Sequence, residues 1–242
     1  MRVPLLSGNA IRGVLRRLIM RDMLDRLGIE RITPKLHHAL FTGGILESTD
    51  ETSGDLDLKF RTTVREVIPP LALFGTAVGN QMIPSCLKVD HGLPICAELK
   101  QHACSGQYLV SPDDPRFNHS VRTFTDFDFI TRRDDLRADR EEDEQARQMK
   151  VEYEYIIPGA GLMHGFTLVN ANDIERSCLG HTIALWKNQP FVGGKSGSGN
   201  GQVACYYEPE LASEAYLEYL DHEHDEIKAA IHVLASKLGE TL

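Results

Sequence analysis

The 242-residue chain has no run that approaches 18 consecutive apolar residues, so no segment is suited to span a bilayer as a helix. Arginine and aspartate interrupt the apolar pattern of the first 28 residues, which a secretory signal core would not tolerate. Cysteine is sparse: the five, at 86, 96, 104, 178 and 205, are odd in number and irregularly spaced. They read as free thiols in a reducing compartment rather than a disulfide framework, which places the chain in the cytoplasm. Aromatics make up only 7%, and the aromatic strand consensus by which RNA-recognition motifs stack bases is missing; His164-Gly-Phe-Thr-Leu168 is only faintly similar. Internal repeats are lacking, and the one low-complexity piece is the glycine-serine run at 193–201. What is present, 42% hydrophobic and 25% charged residues, excludes collagen-like and disordered classes and suits one large domain.

The net charge of -9 conceals a strong asymmetry. Residues 1–40 carry Arg2, Arg12, Arg16, Arg17, Arg21, Arg26, Arg31 and Lys35 against Asp22, Asp25 and Glu30. Residues 208–242 hold nine acids against Lys228 and Lys237, and residues 134–144 hold seven against Arg137 and Arg140. Base in one block and acid in two others can give an acidic protein a basic binding face, or can simply reflect solvated helix faces. The same asymmetry suits a head-to-tail contact that builds an open filament.

Periodicity gives a coarse map. Ser7 caps a first helix in which Ile11, Val14, Leu15, Leu18 and Ile19 recur at helical spacing, and Gly28 stops it. Thr33 and Pro34 open a short second helix that ends at Gly43-Gly44. Residues 48–62 read as loop or hairpin, and 64–68 and 85–89 as strands. Residues 90–120 form an irregular excursion, and the highly charged 132–148 protrudes into water. Val151–Ile157 alternates as a strand with Val151, Tyr153 and Tyr155 on one face, turns at Pro158–Gly161 and returns over His164–Asn170. A helix runs from Asn172 or Asp173 to about Lys187, the glycine loop follows, and 202–207 is a strand. Leu220, Ile227, Ile231, Leu234 and Leu238 stripe the closing helices. This order indicates α+β with a mainly antiparallel sheet.

Most catalytic and cofactor patterns fail on spacing. Gly193-Gly-Lys195-Ser196 lacks the upstream glycine of a P-loop, where Gln189 stands, and lies between a helix and a strand rather than before a helix. The run therefore reads as backbone N–H groups beside Lys195 suited to a phosphodiester, or as an ordinary flexible turn. Cys86, His91, Cys96, His102 and Cys104 lack the tight spacing of a zinc knuckle, so no metal or other cofactor is implied. No nucleophile elbow occurs. His37-His38 could serve a general acid–base nuclease, but on a short amphipathic helix surface exposure or core packing is the commoner role of such a pair.

Four ordered motifs carry a resemblance. Pro4-Leu-Leu-Ser7-Gly8-Asn9-Ala-Ile-Arg12-Gly13 opens the first helix, and Leu73-Phe74-Gly75-Thr76 precedes Cys86-Leu-Lys-Val-Asp90. Glu154-Tyr-Ile-Ile-Pro158-Gly159 leads to Phe166, and Gly193-Gly194-Lys195-Ser196 continues through Gly199, Gly201 and Val203. In this order they resemble the RAMP superfamily of CRISPR proteins. His38-Ala-Leu-Phe-Thr-Gly-Gly44 and the helical tail look most like the backbone subunit of type IV effector complexes, with type III backbone subunits the near alternative.

The resemblance implies a modified ferredoxin-like (RRM-like) palm at 1–89 and 151–208, a finger-like insertion at 90–120, a thumb at 125–150 and C-terminal helices at 209–240. It implies a non-catalytic subunit that polymerises along guide RNA, holds its sugar-phosphate backbone and leaves its bases to pair with target DNA or RNA. Other effector subunits would be its partners. Carried onto this chain, Ser7, Gly8, Asn9, Arg12 and Arg16 at the helix start, and Gly193, Gly194, Lys195 and Ser196 in the loop, would hold phosphates. Arg132, Arg133 and Met149 would touch bases from the thumb. Relatives have a strand and loop before the first motif, with the aspartate that cuts target RNA in type III. Ser7 stands six residues after Met1, so no catalytic residue is assigned. The alternative within the superfamily is an endoribonuclease, for guide processing or type III-like cleavage of target RNA, with His37 or His38 as base.

Overall fold

The computed structural model describes residues 2–46, 57–103, 110–129 and 150–242. In chain order the elements are α1 (Gly8–Arg26), α2 (Pro34–His37) running into a π-helical turn (His38–Thr42), β1 (Gly44–Leu46), α3 (Leu58–Val67), α4 (Pro69–Phe74), β2 (Thr76–Gly79), β3 (Gln81–Ile83) and β4 (Leu87–Val89). Then follow β5 (Leu93–Pro94), a 3₁₀ turn (Ala97–Leu99), α5 (Lys100–Ala103), a second 3₁₀ turn (Pro115–Asn118), β6 (Thr123–Phe129), β7 (Lys150–Ile156), β8 (Leu162–Met163) and β9 (Phe166–Leu168). The chain closes with α6 (Asp173–Asn188), α7 (Glu214–His222) and α8 (His224–Lys237). The class is α+β, as the sequence indicates. No helix among the described residues is long and apolar enough to cross a membrane.

The chain divides into two compact units. The larger, residues 6–91 and 165–242, has its core around α1. Ser7 caps that helix by accepting the Asn9 N–H, and Ile11, Leu15, Ile19 and Met23 are buried along one stripe. His181 on α6 donates from Nε2 to Asp22 Oδ2 at 2.9 Å, the carboxylate having no proton to give. Asn172 and Glu175 form a reciprocal cap at the start of α6, and the buried Glu175 also takes Arg65 at 3.2 Å, so its charge is paired. Leu220, Ile227, Ile231 and Leu234 are buried as the stripe requires. Strand β1 pairs in parallel with β2, β2 antiparallel with β3, and β4 antiparallel with β9, where Val89 faces Phe166.

The smaller unit, residues 1–5 and 92–164, pairs β5 with β8 and β6 with β7, with a small core of Phe117 and Met163. Seven antiparallel pairs make β6 and β7 a ribbon on which Phe124 faces Tyr155 and Asp126 faces Tyr153. Val151, Tyr153 and Tyr155 share the more covered face, as their alternation predicts. The partner differs from expectation. The Pro158–Gly161 turn does not return β7 on itself; the next strand, β8, pairs with β5, and β9 pairs with β4 in the larger unit. Strand β7 thus belongs to the smaller unit.

Two other elements correct the sequence reading. Residues 64–68 are not a strand: α3 is capped by Asp57, whose carboxylate accepts the Phe60 N–H at 2.9 Å, and it buries Phe60, Val64 and Val67 at helical spacing. Residues 202–207 form no strand either; one bridge, Phe191 to Gln202, is the only β pairing there among the described residues. Val203, Cys205 and Tyr207 are held by packing on the core instead.

Candidate nucleic-acid interface

The start of α1 is closely fitted. A Cβ on Gly8 would lie 2.5 Å from the Val89 carbonyl oxygen and 2.7 Å from that of Asp90, so only glycine lets the helix meet the end of β4. The Gly8 N–H donates to His91 Nδ1 at 2.9 Å, and the Asn9 N–H donates to the Ser7 hydroxyl. Two donors that a phosphate would want are thus already engaged within the larger unit, while Asn9 is exposed.

Arg12 and Arg16 turn their guanidinium groups to main-chain carbonyls of the larger unit. Arg12 donates to the Leu87 carbonyl at 2.9 Å and to that of Phe74. Arg16, 6% exposed, donates to the same Phe74 carbonyl and to that of Gly75 at 2.9 Å. Both guanidinium carbons lie 5.6 Å from the Phe74 ring centre. Burial, and secondarily the charge of Arg12, lowers the Arg16 pKa to about 10, so it stays charged at neutral pH. Its Nη1 has no hydrogen-bond partner among the described residues, and a side chain on Gly43 would press against it. Gly75 itself has φ of 62°, and a Cβ there would come within 2.7 Å of the Ile83 carbonyl oxygen. The two motifs, Ser7–Gly13 and Leu73–Thr76, are therefore two halves of one internal clamp.

The glycine loop is exposed. Its neck is closed by Val192 N–H to Gly201 C=O at 2.9 Å, with Trp186 Nε1 donating to the Phe191 carbonyl. Gly193, Lys195, Gly199 and Gly201 all have positive φ, and Gly194, Ser196 and Gly197 donate no backbone hydrogen bond among the described residues. Unbonded N–H groups in an exposed loop that carries a lysine can receive an anion. No described hydrogen bond joins Gly193, Gly194 or Ser196 to Ser7, Gly8 or Asn9. Beyond the loop, Tyr207 packs on Phe166 at 5.0 Å, so helix start and loop exit flank the same Val89–Phe166 pair. Arg132, Arg133 and Met149 lie outside the described residues.

Sequence reasoning missed a second basic feature. An open cleft of about 260 Å³ lies beside the later turns of α1. Arg17, Arg21, Leu24 and Asp25 line it from α1, together with Ile29, Glu30, Ile32, His37 and Phe41. The rings of His37 and Phe41 stack at 4.8 Å and 11°. Thr33, Lys35 N–H and Leu36 N–H all donate to the Glu240 carboxylate, which caps the first turn of α2 and so fixes where His37 stands. Among the described residues, no cluster of three or more His, Cys, Asp or Glu is arranged to hold a metal ion. Burial raises the thiols of Cys86 and Cys205 to about 11 and those of Cys96 and Cys178 above their ordinary value, which makes them poor nucleophiles.

No protein-family model matches the chain, and no curated protein matches it in sequence. Among solved structures, a chain of one titled "Type IV-B CRISPR Complex" is similar, with a TM-score of 0.53 and 19% identity over 88% of this chain and 81% of that one. At that identity the likeness is one of fold.

Proposed function

We propose that the chain is a non-catalytic backbone subunit of a CRISPR ribonucleoprotein effector complex. It polymerises along guide RNA, grips the sugar-phosphate backbone and leaves the bases to pair with target DNA or RNA. The observation that carries this reading is the fold likeness over 88% of the chain to a subunit of a type IV-B complex. The exposed loop that carries Gly193, Gly194, Lys195 and Ser196, with the unbonded N–H groups of Gly194, Ser196 and Gly197, supports it, because phosphate contacts carry no base information and suit any guide sequence. A ferredoxin-like palm with a thumb at 125–150, other effector subunits as partners and a place in the cytoplasm belong to the same reading.

The acids of α7 and α8, with Glu214, Glu218, Asp221, Asp225 and Glu226 exposed, suit a heterologous contact between successive copies. Protein purified from cells should carry RNA of uniform length and sediment as ordered multimers that nuclease disperses. Incubation with matched target RNA and divalent metal should leave that RNA intact. RNA-free protein that stays a two-fold dimer, or cleavage of the target at regular intervals, would overturn the reading.

A further inference from the structure

We infer that the cleft between α1 and the His37–Phe41 stack is a seat for one nucleotide of single-stranded RNA. Its phosphate would lie on Arg17 and Arg21, and its base on the exposed His37 ring. The inference rests on the RNA-binding reading above and adds a site to it. Arg17 and Arg21 sit four residues apart on one face of α1, both exposed, and among the described residues neither makes a hydrogen bond or ion pair. That distinguishes them from Arg12 and Arg16, held on carbonyls, and from Arg26, paired with Asp22 at 2.9 Å. Two such guanidinium groups offer forked donors to a phosphate.

The rest of the lining narrows the ligand class. A surface for bare anions would be basic throughout, but Asp25 and Glu30 stand in this cleft. They can accept from a ribose 2′-hydroxyl or a base amino group, a mixture that suits a nucleotide. The ring of His37 is backed by Phe41 at 4.8 Å and held from behind by the Glu240 cap on α2, so it is a rigid stacking platform. At about 260 Å³ and open to solvent, the cleft is below the ~300–1,000 Å³ typical of enclosed small-molecule pockets, as a site on a continuous strand would be.

The test uses the full chain freed of RNA, titrated with two labelled 12-nucleotide RNAs of unrelated sequence at several salt concentrations. Arg17→Ala and Arg21→Ala should each lower the slope of log affinity against log salt by about 0.7, and the double variant by about twice that. His37→Ala should weaken both RNAs roughly tenfold with the slope unchanged. All three positions are exposed, so melting temperatures should stay at the wild-type value. If wild type binds RNA and the variants keep its slope and affinity, the cleft is not a nucleotide seat, while the backbone-subunit reading stands. If wild type shows no salt-dependent RNA binding, both fall. If the variants instead lose RNA-free self-association with the RNA slope intact, the occupant is the acidic surface of another copy and the inference is wrong.

Discussion

Replacing Arg16 with alanine separates the two roles its position allows. In the fold its guanidinium donates to the carbonyls of Phe74 and Gly75 and covers the Phe74 ring. Phe74 would keep Arg12 as a donor, so the orphaned group is the Gly75 carbonyl, a loss of about 1–3 kcal/mol. Truncating the buried stem adds ~1–2 kcal/mol of lost packing. Relief of the charge burial that lowers its pKa to about 10, and of the repulsion by Arg12, offsets part of this. The net is about 3 kcal/mol, or roughly 6–12 °C in melting temperature for a unit of this size. Arg16→Lys keeps one donor and should recover about half of that. Thermal unfolding followed by far-ultraviolet circular dichroism reads the stability, and the salt slope of RNA binding reads any phosphate contact. A melting temperature within 2 °C of wild type, together with a slope lowered by about 0.7, would refute the clamp and restore Arg16 to the phosphate track.

Gly8→Ala should destabilise by ~1–3 kcal/mol in urea denaturation, because the new methyl meets two main-chain oxygens that cannot swing aside; an unchanged midpoint would contradict the close approach of α1 to β4. Acid should unfold the protein through carboxylates whose folded pKa lies below the ordinary value. Burial pushes Asp22 up, but hydrogen bonds from His181 and Arg26 reverse that, and Thr33 and two backbone N–H groups do the same for Glu240. The Phe60 N–H and Lys237 lower Asp57, and Arg116 lowers Asp114 to about 2. Each such group stabilises the fold above the ordinary carboxylate range and loses that contribution as pH falls through its folded pKa, so melting temperature should be level near neutrality and fall from about pH 5 down to about pH 2. Glu240→Gln should flatten part of that fall, and an identical profile would deny the cap its charge.

What the sequence disclosed follows from length and local chemistry. Helices α1 and α6 are long, bury one side and carry their caps at the expected positions, and the stripe on α7 and α8 is buried as its spacing requires. Helix α3 was hidden because Thr62, Thr63 and Val64 favour strands locally, and burial of Phe60, Val64 and Val67 outweighs that preference. The pairing of β6 with β7 could not be read because a turn signal at Pro158-Gly159 stood closer in sequence than the true partner. The arginines were half legible. Arg12 and Arg16 each follow a stripe residue, Ile11 and Leu15, by about 100° around the helix, so they border the core, whereas Arg17 and Arg21 are turned a further step toward water. Which carbonyls await them, and that residues 29–41 fold over Arg17 and Arg21 into a cleft, is tertiary information.

The Glu240 cap also sets an order of events during synthesis. The N–H groups it receives belong to residues 204 and 205 positions earlier. At about 5–20 residues per second, roughly 10–40 s separate the emergence of α2 from that of its cap. Until then the first turn of α2, which carries His37, lacks these acceptors. A nascent chain would therefore finish the cap on α2 only when the last helix, which also supplies Ile231, Leu234 and Leu238 to the core around α1, has emerged. Ribosome-stalled chains ending before residue 240 should exchange the Leu36 amide freely, and chains extended past it should protect that amide.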